Sequence, residues 1–145
     1  MNEFGQEFVQ LEYIGQRDRE HFWRDPALLL IKRSKVIVVY EQDGGVWIEV
    51  DSYYRYVTDL QIAGTFEEVL AHIGSELHRF IIVRSEPGRR LAVRPQAIEW
   101  IAVSRTTGKT RLSWDSQRGC DGMDETDDAT LIVERIKQAM GGGYE

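Results

Sequence analysis

The sequence predicts an α+β protein made mainly of antiparallel sheet. Three observations favour this class: a β-branched run at residues 36–40, a turn signal just after it, and two short segments with helical spacing of apolar residues, 65–77 and 129–140. The chain has 145 residues, of which 42% are hydrophobic and 29% are charged, an ordinary globular composition. A folded chain is therefore expected in preference to a disordered one.

The clearest hairpin signal lies in the first half of the chain. Residues 36–40 have a high strand preference, and Asp43-Gly44 is a turn pair that tolerates positive φ. Residues 46–50 then alternate in polarity, as a partner strand does. Thr65 is a suitable N-cap with carboxylates in the turn that follows it, so a helix is predicted over residues 65–77, broken or frayed near Gly74.

The other elements are predicted from the same signals. Further strands are expected at residues 8–13, 80–83, 91–93, 97–103 and 110–114. The acidic stretch 115–128 is expected to be a solvated loop, and the second helix, 129–140, ends at a run of three glycines. The apolar phase of these elements predicts that the core includes Val38, Trp47, Val69, Ile73, Ile81, Ile98, Ile132 and Ile136.

The order of the predicted elements is similar in the two halves of the chain. Each half has strands around a turn, a proline before an apolar run (Pro26 and Pro95), further strand and a closing helix. This order predicts two similar β-rich halves, residues 1–78 and 79–145, packed as one body. A single continuous sheet or barrel with two helices against it is the alternative.

The same order of elements resembles that of a family of small bacterial proteins, the FlbD-like flagellum-associated proteins. In the first half the resemblance covers residues 8–11, 26–31, 36–40, 45–52 and 66–73, and in the second half it covers residues 80–101. It implies that the chain is a tandem duplication of such a module. Because that family has no catalytic motif to carry over, the resemblance implies a non-enzymatic protein.

The sequence has no membrane or export signal. Its longest apolar runs, residues 27–31 and 36–40, are far shorter than the ~20 residues needed to cross a bilayer. The first ten residues lack the basic start and the apolar core of a signal peptide. The single cysteine, Cys120, cannot form an internal disulfide. A cytoplasmic protein without a membrane partner is expected.

Motifs for catalysis, metal binding and cofactor binding are incomplete. Gly108-Lys109-Thr110 lacks the earlier glycine of a phosphate-binding loop and is better explained as part of a hairpin turn. The carboxylates of residues 121–128 do not follow the calcium-loop pattern, and the histidines His21, His72 and His78 have no metal-ligand spacing. We expect no metal, no cofactor and no enzymatic activity, although residues remote in sequence would have to be compared in space.

Charge is unevenly distributed along the chain. Residues 79–118 contain nine basic and three acidic side chains, whereas residues 1–78 contain seven basic and fourteen acidic ones. The last segment, 119–145, is again acidic, and the formal net charge is -6. A basic segment between two acidic ones is typical of either an anion-binding face or a solvated face that pairs with the acidic ends.

Two groups of residues are candidates for binding. The basic candidates for a phosphorylated ligand or nucleic acid are Arg84, Arg89, Arg90, Arg94, Arg105, Lys109 and Arg111. Trp100 and Trp114 lie in the same segment, where they would either stack on bases or pack in the core. The protein-contact candidates are Tyr53, Tyr54 and Tyr56.

The main functional expectation is a binding or assembly module that acts through protein–protein contacts as a homo-oligomer. The alternative is a binder of a phosphorylated small molecule or nucleic acid that uses the Arg-rich second half. An enzyme whose site is assembled from dispersed residues is the weakest of the three.

Overall fold

The computed structural model describes residues 7–16, 29–51, 59–75, 77–85, 89–114, 121–125 and 128–141. The chain divides into two compact units, Met1–His78 and Arg79–Glu145. In the described ranges, each unit consists mostly of antiparallel strands and contains one α-helix. The predicted α+β class is therefore confirmed.

Six strands and a helix are described in the first unit. They are β1 (Phe8–Leu11), β2 (Tyr13–Gln16), β3 (Leu29–Lys32), β4 (Val36–Gln42), β5 (Gly45–Val50), β6 (Asp59–Ile62) and α1 (Phe66–Ile73). Strands β2, β6, β5 and β4 form consecutive antiparallel neighbours, while β1 pairs with β3 in a separate two-stranded sheet. The segment previously expected as one strand, 8–13, is thus divided between two sheets.

The β4–β5 hairpin forms where the sequence predicted it. The turn residues Asp43 and Gly44 have φ of 52° and 77°, a conformation for which glycine and aspartate are suited. In β4, Val36–Tyr40 is buried at every position. A strand covered on both faces requires apolar residues without alternation, which is the pattern this run has.

Helix α1 begins at the predicted N-cap. The Thr65 hydroxyl accepts a hydrogen bond from the Glu68 backbone N–H (3.1 Å), and the Glu68 carboxylate accepts one from the Thr65 backbone N–H (3.0 Å). These hydrogen bonds from Thr65, the backbone one foremost, lower the pKa of the exposed Glu68 carboxyl. The helix ends at Ile73, at the predicted break, because Gly74 adopts an extended conformation; residues 74–77 are not helical in the described part of the chain.

One arginine joins β1 to the end of α1. The Arg33 guanidinium donates a hydrogen bond to the Phe8 carbonyl and another to the His72 carbonyl, both at 3.1 Å. The second carbonyl belongs to the last turn of the helix, where a cation is favoured by the helix dipole. The 3-10 turn Arg33–Lys35 between β3 and β4 therefore positions both elements.

Two buried carboxylates lie side by side in the first sheet. Glu49 of β5 and Asp59 of β6 are register partners, and each side chain is 3% exposed. The hydroxyl of Tyr40, a residue of β4, donates a hydrogen bond to Asp59 Oδ2. The sequence pattern did not predict this buried polar group, since Glu49 was read as an outward-facing residue.

Five strands and a helix are described in the second unit. They are β7 (Ile81–Ser85), β8 (Arg89–Val93), β9 (Ile98–Val103), β10 (Thr110–Trp114), β11 (Asp121–Glu125) and α2 (Ala129–Ala139). The strand order is β8-β7-β11-β10-β9, antiparallel throughout. Helix α2 is capped by Asp128. Arg135 of this helix donates a hydrogen bond to the Ile82 carbonyl of β7 (2.8 Å).

The expectation of a solvated loop over residues 115–128 was wrong in part, because Asp121–Glu125 forms strand β11. All five of its residues have register partners on β10, and Glu125 also pairs with Ser85 of β7. The backbone of β11 thus pairs along its whole length with β10 and at one residue with β7, although its acidic and glycine-containing sequence has low strand propensity.

The predicted duplication is not confirmed, although the two units share one feature of strand order. In each unit the last strand lies between the penultimate strand and a strand from the start of the unit: β11 lies between β10 and β7, and β6 lies between β5 and β2. Pro95 begins the 3-10 turn Pro95–Ala97, but Pro26 lies outside the described residues. The proposed equivalence of the two prolines stays a prediction.

Most of the predicted core is buried. Val38, Val69, Ile73, Ile81 and Ile132 are buried, while Trp47, Ile98 and Ile136 are half-buried.

None of the helices within the described ranges has both the length and the apolar character needed to cross a membrane.

Replacing Ile73 with alanine is expected to lower the free energy of unfolding by about 2 to 4 kcal/mol, because a fully buried side chain of α1 is lost and a cavity remains. Chemical denaturation measures the change. Leu77→Ala is the control, since Leu77 is 80% exposed and its truncation should cost less than about 0.5 kcal/mol. Equal losses in the two variants would show that α1 does not dock through Ile73.

Replacing Tyr40 with phenylalanine removes the hydroxyl that donates to the buried Asp59. We expect a loss of about 1 to 3 kcal/mol in the free energy of unfolding, because a buried carboxylate loses a hydrogen bond. The additional replacement Asp59→Asn should recover part of that loss, since the amide carries no charge to desolvate. An unchanged stability of Tyr40→Phe would contradict this role.

Candidate functional site

A continuous row of register partners crosses the sheet of the second unit and defines its two faces. From β8 to β9 the row consists of Arg89, Ser85, Glu125, Thr110 and Val103. The members of this row all point to one face of the sheet. Because successive side chains in a strand point to opposite faces, the residues immediately before and after each member lie on the other face.

Four basic residues lie on that other face, on three strands. Arg84 of β7 and Arg90 of β8 are register partners, and Lys109 and Arg111 flank Thr110 at the start of β10. We call Arg84, Arg90, Lys109 and Arg111 the basic face. In the order β8-β7-β11-β10 the cations span three strand spacings, or ~14 Å.

The opposite face of the same strands is the core of the unit. Ile81, Val83, Leu91, Val93 and Leu112 are all at most 3% exposed. On the basic face, by contrast, Arg84, Lys109 and Arg111 are exposed and Arg90 is half-buried. The strands therefore separate an apolar face from one that is cationic at the end where these residues lie, while Ala92 and Ser113, farther along the same face, are fully buried.

The electrostatics of the basic face favour an anion. Arg84 and Arg90 lie directly opposite each other. A phosphate placed between two guanidinium groups accepts bidentate hydrogen bonds. One acidic residue belongs to the same region, since Asp124 of β11 is the register partner of Arg111.

The turn from β9 to β10 holds Lys109 beside the sheet. The Ser104 hydroxyl accepts hydrogen bonds from the backbone N–H groups of Thr106 (3.2 Å) and Thr107 (3.1 Å). Gly108 has φ of 74°, which closes the turn. Gly108-Lys109-Thr110 is thus part of a hairpin, as the spacing predicted. Arg105 is exposed in this turn.

Two of the predicted basic residues lie apart from the basic face. Arg89 belongs to the row that defines the opposite face. The Arg94 guanidinium lies over the Phe80 ring, 4.7 Å from its centroid, and partial burial lowers the pKa of Arg94. Arg94 therefore packs against the protein instead of facing a ligand.

The predicted aromatic candidates have different positions. Trp114 is 6% exposed and belongs to the core, whereas Trp100 of β9 is 41% exposed. The proposed packing of both tryptophans in the core is thus confirmed for Trp114 alone. The tyrosines Tyr53, Tyr54 and Tyr56 lie outside the described residues.

The first unit has an open cavity of about 480 Å³ beside α1. Buried Leu11, Ile62 and Val69 line its floor, and Glu12 and Glu68 lie at its rim. Carboxylates beside this cavity disfavour the binding of a phosphate in it. In the described ranges, no group of three or more His, Cys, Asp or Glu side chains has an arrangement that could hold a metal ion.

Neither a protein-family model nor a curated protein matches the sequence. Among solved structures, the chain is similar to the LytTr DNA-binding domain of a protein from Bacillus cereus described as a methyl-accepting/DNA response regulator. The alignment covers 94% of this chain and 99% of that domain, with a TM-score of 0.53 and 13% sequence identity. The chain has a LytTr-like fold.

The LytTr-like fold corrects two expectations. The resemblance to FlbD-like flagellum-associated proteins was wrong, because the order of strands and helices that carried it is compatible with different folds, and the spatial similarity is to a different family. The expectation of a module for protein–protein contacts depended largely on that resemblance. It is overturned as well, because the similar structure is a DNA-binding domain.

Replacing Arg94 with alanine is expected to lower the free energy of unfolding by about 1 to 2 kcal/mol, because the partly desolvated contact with Phe80 is lost. Thermal or denaturant unfolding measures this loss. Arg111→Ala is the matched control, since it removes an exposed guanidinium and should change stability by less than about 0.5 kcal/mol. A larger effect of Arg111→Ala than of Arg94→Ala would reverse the assignment.

Proposed function

We propose that the chain binds double-stranded DNA through the basic face of its second unit, without catalysing a reaction on it. The observation that carries this proposal is the gathering of Arg84, Arg90, Lys109 and Arg111 on one sheet face. The LytTr-like fold supports the choice of DNA, since the similar solved structure is named a DNA-binding domain.

Local charge, and not net charge, governs this binding. The chain is acidic as a whole, with a formal charge of -6, yet residues 79–118 have nine basic and three acidic side chains. Phosphate contacts by such a cluster release counterions from the DNA, and this release supplies much of the affinity. The acidic remainder of the chain disfavours binding in other orientations, so it restricts DNA to the basic face.

The dimensions of the basic face suit a duplex. Its cations span ~14 Å from β8 to β10, comparable with the ~12 Å width of the major groove of B-DNA. Arginine and lysine at this separation reach the phosphates that border a groove. Arg105, exposed in the turn next to Lys109, extends the positive charge beyond the sheet.

Arg89 and Arg94 have no direct role in this proposal. The first belongs to the opposite side of the sheet, and the second packs on Phe80.

A phosphorylated small molecule is the second candidate ligand, and the Arg84–Arg90 pair favours it, since two guanidinium groups suffice for one phosphate.

The double variant Arg84→Ala/Arg90→Ala is expected to weaken duplex DNA binding more than tenfold at low salt. It should also reduce the slope of log K against log salt by about two, because two phosphate contacts are lost. Fluorescence anisotropy with labelled duplexes of varied sequence measures both quantities. The matched control, Lys32→Ala/Lys137→Ala, removes two exposed charges elsewhere and should bind almost as the unaltered protein does.

Nucleotides and single strands in the same titration separate the candidate ligands. DNA binding predicts a strong preference for the duplex over any mononucleotide. Tight binding of a mononucleotide, lost in Arg84→Ala/Arg90→Ala, would favour the small-molecule candidate. Absence of duplex binding at low salt, or an equal loss in the control, would contradict the proposal.

A further inference from the structure

The cavity beside α1 has walls from three parts of the first unit. One wall is the end of β1 with the residue that follows it, a second is the end of β6 with the turn that follows it, and the third is one side of α1. Its volume of about 480 Å³ is within the range of roughly 300 to 1,000 Å³ that is typical of small-molecule sites. The cavity is therefore large enough for a small organic molecule.

Hydrogen bonds hold the three walls together. The Arg33 guanidinium donates to the Phe8 carbonyl of β1 and to the His72 carbonyl of α1, both at 3.1 Å. The Ala63 backbone N–H, just after β6, donates to the Glu12 carbonyl, just after β1 (2.9 Å). Because each wall is joined to another, the cavity is preformed, and a ligand does not have to bear the entropic cost of ordering it.

A glycine keeps the turn between β6 and α1 from narrowing the cavity. Gly64 has φ of 115°, a conformation that residues with a side chain rarely adopt. A Cβ atom at this position would lie 3.6 Å from Val69 Cγ2 and 3.7 Å from Glu68 Oε1, which both belong to lining residues. Any other residue would thus add atoms against two of the groups that line the cavity, whereas glycine leaves them accessible.

The floor and the rim of the cavity differ in chemistry. On the floor, the side chains of Leu11, Ile62 and Val69 are at most 6% exposed. At the rim, Glu12 and Glu68 are exposed, and within the described ranges neither forms an ion pair with a lysine or an arginine. An apolar floor beside two carboxylates is complementary to a molecule that has both an apolar part and a positive charge.

We propose that this cavity binds a small organic ammonium ion with an apolar body. The body packs on Leu11, Ile62 and Val69, where it removes apolar surface from water. The ammonium group, with three N–H donors, donates hydrogen bonds to the carboxylates of Glu12 and Glu68. The site belongs to the first unit and does not involve the basic face or DNA.

The capping box leaves Glu68 able to take part. Its Oε1 accepts a hydrogen bond from the Thr65 backbone N–H (3.0 Å), and a carboxylate has a second oxygen that can accept one from a ligand. The hydrogen bonds from Thr65, the backbone one foremost, lower the pKa of Glu68, so this carboxylate is charged at neutral pH.

A divalent metal ion fits the same side chains less well. Those of the lining that commonly ligate metals are Glu12, Glu68 and His72. In the part of the chain that the structure describes, no three His, Cys, Asp or Glu side chains converge as a metal ion requires. An ammonium ion does not need that convergence, because each of its N–H groups donates to a separate acceptor.

A series of related probes tests the two halves of this chemistry. Tryptamine, which has an indole ring and an ammonium group, is titrated into the isotope-labelled full chain at neutral pH and followed by two-dimensional NMR. It should bind with a dissociation constant on the order of 1 mM or below, and shift the amide signals of residues 10–12, 62–64 and 68–72. Tryptophol, which lacks the charge, ethylamine, which lacks the ring, and indolepropionate, which is an anion, should each bind roughly tenfold more weakly or less.

The double variant Glu12→Gln/Glu68→Gln tests the two carboxylates. It should raise the dissociation constant for tryptamine roughly tenfold and leave that for tryptophol unchanged, because only the charges are removed. Glutamine at position 68 keeps the capping box, so α1 still begins at Thr65. The matched control is Glu67→Gln, which removes a charge from the same helix outside the cavity lining and should change tryptamine binding less than about twofold. Circular dichroism confirms that both variants are folded.

Four results would overturn the proposal. One is no saturable binding of tryptamine up to about 10 mM, roughly ten times the expected dissociation constant. Another is equal affinity for tryptamine and tryptophol, which would remove the role of charge. The third is a set of shifted amides away from the cavity, and the fourth is an equal loss of binding in Glu67→Gln and in the double variant.

Discussion

The two-residue repeat of the β-strand is the constraint on which the second unit depends. In β7, Ile81 and Val83 are buried while Arg84 is exposed, and in β8, Leu91 and Val93 are buried while Arg90 faces Arg84. The residues that stabilise the sheet and those that bind an anion are therefore interleaved along the same strands. A shift of one residue in register would exchange the two faces, so the core also fixes the position of the basic face.

Strand β11 has a corresponding role in the geometry of the proposed interface. It lies between β7 and β10 and brings Arg84 and Lys109 to the same side of one row, although 24 residues of sequence intervene between them. Its residue Asp124 is the register partner of Arg111 on β10. The strand with the weakest sequence signal therefore determines how the cations are spaced.

Local chemistry explains which parts of the fold could be predicted. The β4–β5 hairpin, the start of α1 at Thr65 and the helix after Asp128 each depend on residues adjacent in sequence. By contrast, β11 depends on neighbours that are far away along the chain, and no propensity indicates them. The buried carboxylates Glu49 and Asp59 were missed for the same reason.

The candidate site could be predicted only as a set of basic residues. Charge counting found the Arg-rich segment, but it could not separate Arg94, which packs on Phe80, from Arg84, which faces solvent. That separation depends on register and on burial. The functional class was missed because the order of strands and helices does not distinguish one β-rich fold from another, whereas the spatial arrangement does.

The capping box of α1 affects how this helix responds to acid. Its hydrogen bonds with Thr65 lower the pKa of Glu68, so the folded helix binds this proton less readily than the unfolded chain does. The stabilisation is complete above the ordinary glutamate pKa and is lost as the pH falls from that value through the lower, folded one. During gradual acidification, carboxylates with ordinary pKa values therefore become neutral first, and the first turn of α1 keeps its anchor after they have lost their charge.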